Sequence, residues 1–448
     1  MSNIKGNMVT GNPVKILIYF AIPMIVGNLF QQFYNIADSI IVGNFVNARA
    51  LAAVGASNSI TNLFVMVAIG TGIGCSVVIS QQFGAGRMED VKSSISTALI
   101  SILGFSILLS VLGYFLSGEI LKWMKTPENV FDEAKVYLQI YFLGFVFLFM
   151  YNAFNAVFNA LGDSRKPLIF LIISSIVNIG LDLLFVAAFN MGVAGAAWAT
   201  LIAQGISAVV SFIVLMLKLH KMESGVYSRY SIHHLKNMVT MAIPTVIQQS
   251  IVSIGLLLIQ SVVNRFGDEF MAGYAAAIKI DSIVIVPMVN VGNAVSTFVA
   301  QNMGAGQVKR AQKGYRAGLC MAIGIGVLLG VILHFESYGI VGLFMDAKDS
   351  ARAIKVGAEY LEIMSYAYFI MGMMNVTAAV LRGAGDKRWF LMQSLINLVI
   401  RVILVYMLAD VTGGYVIMWA SGVGWIIGFL ISFYRYRQGG WQKVQIMS

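Results

Sequence analysis

The chain has 448 residues, of which 58% are hydrophobic and only 11% are charged, and its mean hydropathy is +0.81. Soluble domains carry about 25% charged residues, so this composition excludes a water-soluble enzyme, a disordered protein and a nucleic-acid-binding protein. The net charge of +10 fits the surplus of Lys and Arg that membrane proteins place in cytoplasmic loops. The two cysteines, Cys75 and Cys320, lie in apolar runs and offer no disulfide framework or zinc spacing. We therefore predict an all-α integral membrane protein with many spans.

The polar start of the chain, Met1–Asn12, leads into a long apolar run that Pro13 opens. No short apolar stretch with a small-residue cleavage site follows, so we expect the first span to serve as the targeting signal. Because a helix needs about 20 apolar residues to cross a bilayer, the sequence predicts twelve spans. Pro23, Pro244 and Pro287 lie inside predicted spans, which are therefore expected to bend or tilt. The predicted spans cover residues 14–42, 51–83, 93–116, 134–160, 167–189, 192–217, 237–264, 270–301, 314–334, 357–381, 389–409 and 413–434.

The distribution of basic residues predicts the orientation of these spans. Of the 30 Lys and Arg residues, 20 fall in segments on the same side as the N-terminus, 8 on the opposite side and two inside spans. Cytoplasmic loops carry the excess of basic residues. We therefore expect both termini in the cytoplasm and a multi-pass protein of the cell (inner) membrane.

The second half of the chain repeats the first. Each copy holds six spans, an even number, so both copies enter the membrane in the same direction and a pseudo-two-fold axis along the membrane normal should relate them. Two six-helix lobes facing a central cavity are typical of a carrier that works by alternating access, and the alternative is a duplication without a transport role. The predicted domains are an N-terminal lobe (1–218), a cytoplasmic linker (219–236), a C-terminal lobe (237–434) and a cytoplasmic tail (435–448). The repeated segments are Ala21-Ile22-Pro23 with Ala242-Ile243-Pro244, Gln81–Gly86 with Gln301–Gly306, and Ala160–Asp163 with Gly383–Asp386.

Few ionisable residues fall inside the predicted spans, and they are unevenly shared between the two copies. A charge at the bilayer centre costs roughly 2.5–3.5 kcal/mol on insertion scales, so such residues are functional candidates by default. In the repeat, Ile259 stands where the first copy has Asp38, and Val405 stands where it has Asp182. The ionisable residues inside the predicted spans are Asp38, Asp182, Lys279, Asp281 and Arg401.

Oxygen-bearing side chains accompany Asp182 in the first copy. Asn178 lies four residues earlier on the same helix face, and a carboxylate with amide, hydroxyl and carbonyl oxygens suits a hard cation such as Na⁺. The desolvated carboxylates could instead carry a proton, or could simply be hydrogen-bonded and hold helices together. The residues that we group with Asp182 are Asn178, Ala196, Thr200, Tyr137 and Asn155.

The second copy has its own polar set, formed by Lys279, Asp281 and Arg401. Asp281 could pair with Arg401 or Lys279 as a structural ion pair, or the three residues could contact substrate. The sequence leaves both interpretations open.

Two sequence motifs bear on whether the protein could be an enzyme, either an intramembrane protease or an ATPase. Gly383-Ala384-Gly385-Asp386 fits the Gly-x-Gly-Asp pattern of intramembrane aspartyl proteases, but Asp386 lies among Arg382, Lys387 and Arg388, which marks a membrane edge. A tight interhelical turn explains it better. No Gly-Lys dipeptide occurs, so no Walker A loop is available for ATP hydrolysis. We expect no enzyme activity, no cofactor and no ATPase domain.

Several of these motifs together resemble the multidrug and toxic compound extrusion (MATE) family over essentially the whole chain. They are Ala21-Ile22-Pro23, Tyr34-Asn35-Ile36-Ala37-Asp38, the Gly84-Ala85-Gly86 loop, the Gly162-Asp163 turn and Asn178-Ile179-Gly180-Leu181-Asp182. The chain looks closest to the bacterial and archaeal branch with acidic residues in the N-terminal lobe. The branch that uses the C-terminal lobe has a Glu on the seventh span, where Pro244–Gln249 holds no acid.

The resemblance implies antiport of organic, often cationic, compounds against Na⁺ or H⁺ by a monomer in the lipid bilayer. It implies an ion site at Asp38, Asn178, Asp182 and Thr200, with Ala196 contributing its carbonyl and Tyr137 and Asn155 nearby. The alternative is a flippase for lipid-linked saccharides built on similar lobes. A flippase would need a strongly basic cavity for pyrophosphate, and only Lys279 and Arg401 are available.

Overall fold

The computed structural model describes residues 8–45, 48–345 and 351–444. The described residues form fifteen α-helices with short π- and 3₁₀-helical turns and no strand. The helices are α1 (Pro13–Phe45), α2 (Ala48–Gly84), α3 (Met88–Trp123), α4 (Glu128–Leu143), α5 (Phe145–Ala160), α6 (Arg165–Asp182), α7 (Gly192–His220), α8 (Ile232–Val263), α9 (Asp268–Val284), α10 (Val286–Gly304), α11 (Val308–Gly342), α12 (Ala351–Ser365), α13 (Tyr368–Ala384), α14 (Lys387–Thr412) and α15 (Tyr415–Gln438). A π-helical turn, Leu183–Ala188, follows α6 directly.

The predicted all-α membrane architecture is confirmed. Ten stretches of helix among the described residues are long and apolar enough to cross a membrane, and counting each of two bent helix pairs as one span brings the number to twelve. The total of twelve matches the prediction from hydropathy. The bent pairs are α4 with α5, at 45°, and α12 with α13, at 55°.

Only one of the three prolines expected to disturb a span coincides with a break in a helix. Pro287 lies in the first turn of α10, directly after the break at Ile285 that ends α9. Pro23 and Pro244 lie inside α1 and α8, which continue through them. The two sharp bends lie instead at Gly144 and at residues 366–367, where no proline is present.

The chain divides into two compact units, and the division falls inside helices. The first unit consists mainly of Val26–Val246, and the second of Ile247–Ser448 together with Asn7–Ile25. The start of α1 therefore belongs to the second unit, where Leu17 and Phe20 are buried in its apolar core. The polar segment 219–236, predicted to link the lobes, lies within the first unit.

The repeated segments found in the sequence form turns with the same hydrogen bonds. In the first copy, Gly86 N donates to Phe83 O; in the second copy, Gly306 N donates to Met303 O, 220 residues later. Gly162 N likewise donates to Asn159 O, and its counterpart Gly385 N donates to Arg382 O. All four glycines have positive φ angles, between 70° and 89°, a conformation that residues with a Cβ rarely adopt. These backbone angles favour glycine at the same positions of both copies, which explains why the repeat is visible in the sequence.

Small residues allow close helix packing within each unit. A Cβ atom added at Gly70 would come within 2.8 Å of Val246 Cα, and one at Gly330 within 2.5 Å of Ser365 O, at the end of α12. The contact at Gly330 brings α11 against the bend between α12 and α13. These glycines therefore pack against backbone, which is the role that small residues have in membrane helices.

Candidate functional site

Asp182 and Asn178 face one another on α6, as their spacing of four residues predicts. Asp182 is fully buried and Asn178 is 2% exposed. With the Asn178 amide oriented by its hydrogen-bonding partners, as such amides must be, its Nδ2 donates to Asp182 Oδ2 at 2.7 Å. Its Oδ1 accepts a hydrogen bond from Thr200 N on α7 at 3.2 Å. The structure thus brings together three of the residues predicted for the ion site.

Tyr34 is a member of this network that sequence reasoning missed. Asn178 Nδ2 also donates to Tyr34 Oη, at 3.1 Å, and so connects α6 to α1. Tyr34 lies four residues before Asp38 in the motif used to recognise the family, and that spacing was the available signal. Asp38 itself lies within α1, but its side chain is outside the described side chains.

The backbone changes its helical geometry immediately after Asp182. The π-helical turn Leu183–Ala188 begins at the next residue, and π turns inside helices are frequent at functional sites. Val186 of this turn forms a small buried cluster with Ala196 of α7. A Cβ atom at Gly195 would meet the Phe185 backbone at 3.2 Å, so the glycine allows α7 to approach the turn closely. Ala196 therefore lies next to the segment that carries Asp182.

The remaining two residues of the predicted site, Tyr137 and Asn155, lie on the bent pair α4 and α5. The Tyr137 ring stacks on that of Tyr141, with centroids 6.1 Å apart. Tyr141 in turn lines a small cavity together with Thr200 and Gln204. Asn155 Oδ1 is buried and accepts no hydrogen bond.

The side-chain atoms around Asp182 indicate which class of ion this site could bind. No group of three or more His, Cys, Asp or Glu side chains converges anywhere in the described ranges. Among the described side chains, the oxygens of the Asn178 amide and of the Tyr34 and Thr200 hydroxyls lie near the Asp182 carboxylate. Carboxylate and neutral oxygens of this kind suit a hard cation such as Na⁺, or a proton.

The polar residues of the second unit do not form the ion pair considered from the sequence. Asp281 Oδ1 accepts a hydrogen bond from Tyr368 Oη at 2.7 Å. Within the described residues, no ion pair joins Asp281 to Arg401 or Lys279. Lys279 is exposed, while Asp281 and Arg401 are partly buried.

The acids of the two repeated turns are held by ion pairs. Asp386, which is 6% exposed, accepts a hydrogen bond from Arg435 Nε at 2.6 Å. Its counterpart Asp163 contacts Lys218 Nζ at 3.2 Å. Each pair ties an interhelical turn to a helix of its own unit, α7 for Asp163 and α15 for Asp386, so the Gly-x-Gly-Asp motif has a structural explanation.

Comparison with known proteins identifies the family. Two stretches of the chain, residues 23–184 and 244–407, match the family model MatE, and together they cover more than half of the sequence. The chain belongs to the MATE family. The second match begins 221 residues after the first, the offset of the internal repeat.

Relatives of this MATE protein extend over nearly its whole length. The probable multidrug resistance protein YpnP of Bacillus subtilis is 31% identical over 440 residues, which cover 98% of each chain. The probable multidrug resistance protein NorM of Thermotoga maritima is 23% identical and covers 83% of this chain and 80% of its own. A crystal structure of MATE in complex with MaL6 has a TM-score of 0.92 at 22% identity, covering 98% of this chain and 100% of the other. A MOP superfamily transporter from Pyrococcus furiosus has a TM-score of 0.91 at 22% identity, covering 99% and 100%.

Family membership confirms several predictions made from the sequence. The protein is a multi-pass membrane transporter of the MATE family that handles small organic substrates, and it is not an enzyme. The aspartyl protease interpretation of Asp386 is therefore excluded.

Proposed function

We propose that this MATE protein is an antiporter that exports organic, mainly cationic, compounds by alternating access in exchange for Na⁺ or H⁺. The observation that carries the proposal is the buried network of Asp182, Asn178, Tyr34 and Thr200 in the first unit. The names of the relatives, which are multidrug resistance proteins, support the class of substrate. Asp38 belongs to the proposed ion site by its position in the family motif.

A fully buried carboxylate inside a membrane span favours binding of a cation. An uncompensated charge in such a setting is costly, and either Na⁺ or a proton at Asp182 would remove most of that cost. The neutral oxygens of Asn178 and Thr200 supply the further ligands that Na⁺ requires. Asn155, whose buried Oδ1 accepts no hydrogen bond, the Ala196 carbonyl and Tyr137 complete the proposed surroundings.

The Asn178 amide provides a way for ion binding to change the structure. Its Nδ2 donates to both Asp182 and Tyr34, and its Oδ1 accepts from Thr200 N. An ion that binds at Asp182 Oδ2 competes with the amide for this oxygen, so ion binding weakens this hydrogen bond and with it the contacts that the amide makes to α1 and α7. Binding at α6 is thereby transmitted to two neighbouring helices, which is the link that ion-coupled transport needs.

The two coupling ions can be distinguished in proteoliposomes that contain the purified protein and rhodamine 6G. A Na⁺ gradient at equal pH and a pH gradient without Na⁺ are imposed in separate experiments. We expect one of the two gradients, or both, to drive dye against its concentration. Dye movement that neither gradient alters would contradict ion-coupled antiport.

We also propose that both termini lie in the cytoplasm, from the bias of 20 to 8 in Lys and Arg. A reporter that fluoresces only in the cytoplasm is fused after residue 448, and a reporter active only outside the membrane is fused in parallel. Activity of the external reporter would reverse the proposed orientation.

A further inference from the structure

Side chains of the second unit bind the short segment that precedes α1. Met8 is only 2% exposed and lies in the apolar cluster that also contains Leu17 of α1. Its N–H donates to Gln301 Oε1 at 2.9 Å, and its carbonyl accepts from Asn302 Nδ2 at 3.3 Å. Gln301 and Asn302 lie near the end of α10, beside the repeated turn. The backbone of Met8 is thus hydrogen-bonded at both its N–H and its carbonyl before α1 begins.

Arg310, in the first turn of α11, binds three carbonyls of the same segment. Its Nη1 donates to Gly11 O at 2.7 Å, and its Nη2 donates to Thr10 O at 2.8 Å. Nη2 and Nε also donate to Met8 O, at 3.1 Å and 3.3 Å. Hydrogen bonds from a charged donor are stronger than neutral ones. One guanidinium therefore holds residues 8–12, which we call the strap.

The strap leads directly into α1. Asn12 Oδ1 accepts from Val14 N at 2.9 Å and from Lys15 N at 3.4 Å, which are the contacts of a helix N-cap. Pro13 occupies the first helical position, where its fixed φ angle suits the start of a helix. The position of the strap therefore sets the position of the first turn of α1.

The first copy of the repeat holds the start of α8 at the equivalent positions. His234, in the first turn of α8, has its Nδ1 3.3 Å from Gln82 Nε2 and its Nε2 3.5 Å from Asp90 Oδ1. Gln82 and Asp90 lie 220 residues before Asn302 and Arg310, the offset of the repeated turns. The same two positions therefore hold the chain at the start of α1 and at the start of α8, although the residues differ. This recurrence favours a role beyond an incidental contact.

The helix that follows the strap contributes to both units. Its residues up to Ile25 belong to the second unit, and those from Val26 belong to the first. In the first unit, Tyr34 Oη accepts from Asn178 Nδ2 in the network around Asp182. A single helix therefore runs from the strap to the proposed ion site.

We propose that Arg310 is a positioning residue for transport, which acts through the strap to hold the start of α1 in the second unit. With α1 held at this end, a change in the network at Tyr34 is passed along the helix to the second unit instead of being lost at a loose chain end. The inference rests on the proposed function, because it gives Arg310 a part in the response to ion binding. Arg310 itself binds neither the ion nor the substrate.

Hydrogen–deuterium exchange of the purified protein in lipid nanodiscs measures the strap directly. Exchange of a hydrogen-bonded amide requires local opening, and Arg310→Gln removes the charged donor that holds the strap closed. We expect the amides of the strap to exchange at least about tenfold faster in this variant. Lys309→Gln, the control, removes the charge of the exposed neighbouring residue and should leave the exchange unchanged. Unchanged exchange in Arg310→Gln would overturn the proposal.

Export in proteoliposomes distinguishes a positioning role from a purely structural one. Arg310→Gln should lose most of the maximal rate of gradient-driven rhodamine 6G export, while the dissociation constants for dye and ion stay within about twofold. Arg310→Lys still donates to carbonyls, so it should restore part of both the protection of the strap and the export rate. A loosened strap with a normal export rate would overturn the proposal, as would an equal loss of rate and of both affinities.

A second variant keeps the proposal falsifiable if Arg310→Gln does not fold. Met8→Ala removes the buried side chain of the strap and leaves Arg310 in place, and it should loosen the strap and slow export in the same way. Normal export by Met8→Ala with a loosened strap rejects this inference alone. Absence of gradient-driven export by the unmodified protein would instead reject the proposed function, and this inference with it.

Discussion

Asn178 Nδ2 donates a hydrogen bond to Asp182 Oδ2 across one turn of α6, at 2.7 Å. The same amide contacts Tyr34 on α1 and Thr200 on α7, so it connects three helices at the carboxylate.

The first prediction concerns Asp182. Asp182→Asn keeps the size of the side chain and removes its charge, so we expect gradient-driven dye export to be lost while the protein still reaches the membrane. Asp410→Asn is the matched control, because Asp410 is 80% exposed and only distantly paired with Arg265. Export is measured in vesicles with an imposed Na⁺ or pH gradient. Normal export by Asp182→Asn would remove this residue from the ion site.

Asp38→Asn should have the same effect, because the family motif places Asp38 in the ion site together with Asp182. The same vesicle assay measures it, with membrane abundance determined in parallel. If Asp38→Asn exports dye at the normal rate while Asp182→Asn does not, the ion site contains a single essential carboxylate.

Tyr34→Phe removes only the hydroxyl that accepts from Asn178. A neutral hydrogen bond contributes about 0.5–1.5 kcal/mol, so the apparent ion affinity should fall roughly two- to tenfold while transport persists. Isothermal titration with Na⁺, or a pH titration of dye binding, measures the change. Tyr19→Phe, at a tyrosine that is 67% exposed, is the control. An unchanged ion affinity in Tyr34→Phe would show that the hydroxyl does not support the site.

Ion and substrate should weaken the binding of each other. A ligand shifts a two-state equilibrium only through its different affinities for the two states, and the coupling between two sites is reciprocal, typically about 1–3 kcal/mol. Saturating rhodamine 6G should therefore lower the apparent ion affinity about 5- to 150-fold in a titration of purified protein. An ion affinity that does not respond to the dye, in a protein shown to antiport, would contradict coupling through the first unit.

Asp386→Ala tests the structural role of the second repeated turn. Removing one partner of a buried ion pair leaves the other uncompensated and costs about 3–5 kcal/mol, and Arg435 is only 21% exposed. We expect a clear decrease in the thermal unfolding temperature of the purified protein. Asp163→Ala should cost less, because both members of its pair with Lys218 are partly exposed, by 23% and 18%. Equal stability of the two variants would contradict this account.

Local signals in the sequence were sufficient to predict the membrane-spanning architecture and to detect the internal repeat. Hydropathy depends on composition within about 20 residues, so the twelve spans could be counted without knowing their contacts. Turn glycines such as Gly162 and Gly385 are specified by their own backbone angles, which is why the repeat is visible in the sequence. The pairing of Asn178 with Asp182 follows from the spacing of four residues on one helix.

Contacts between distant segments were decided only by the tertiary structure. Tyr34 reaches Asn178 across 144 residues of chain, and no spacing rule connects them. The sequence also allowed Asp281 to pair with Arg401, yet in the structure Asp281 accepts a hydrogen bond from Tyr368. The bend between α12 and α13 places Tyr368 at the start of a helix, and this bend arises where α11 packs against backbone through Gly330. Composition and periodicity determine which helices form, whereas packing between helices decides which polar atoms meet.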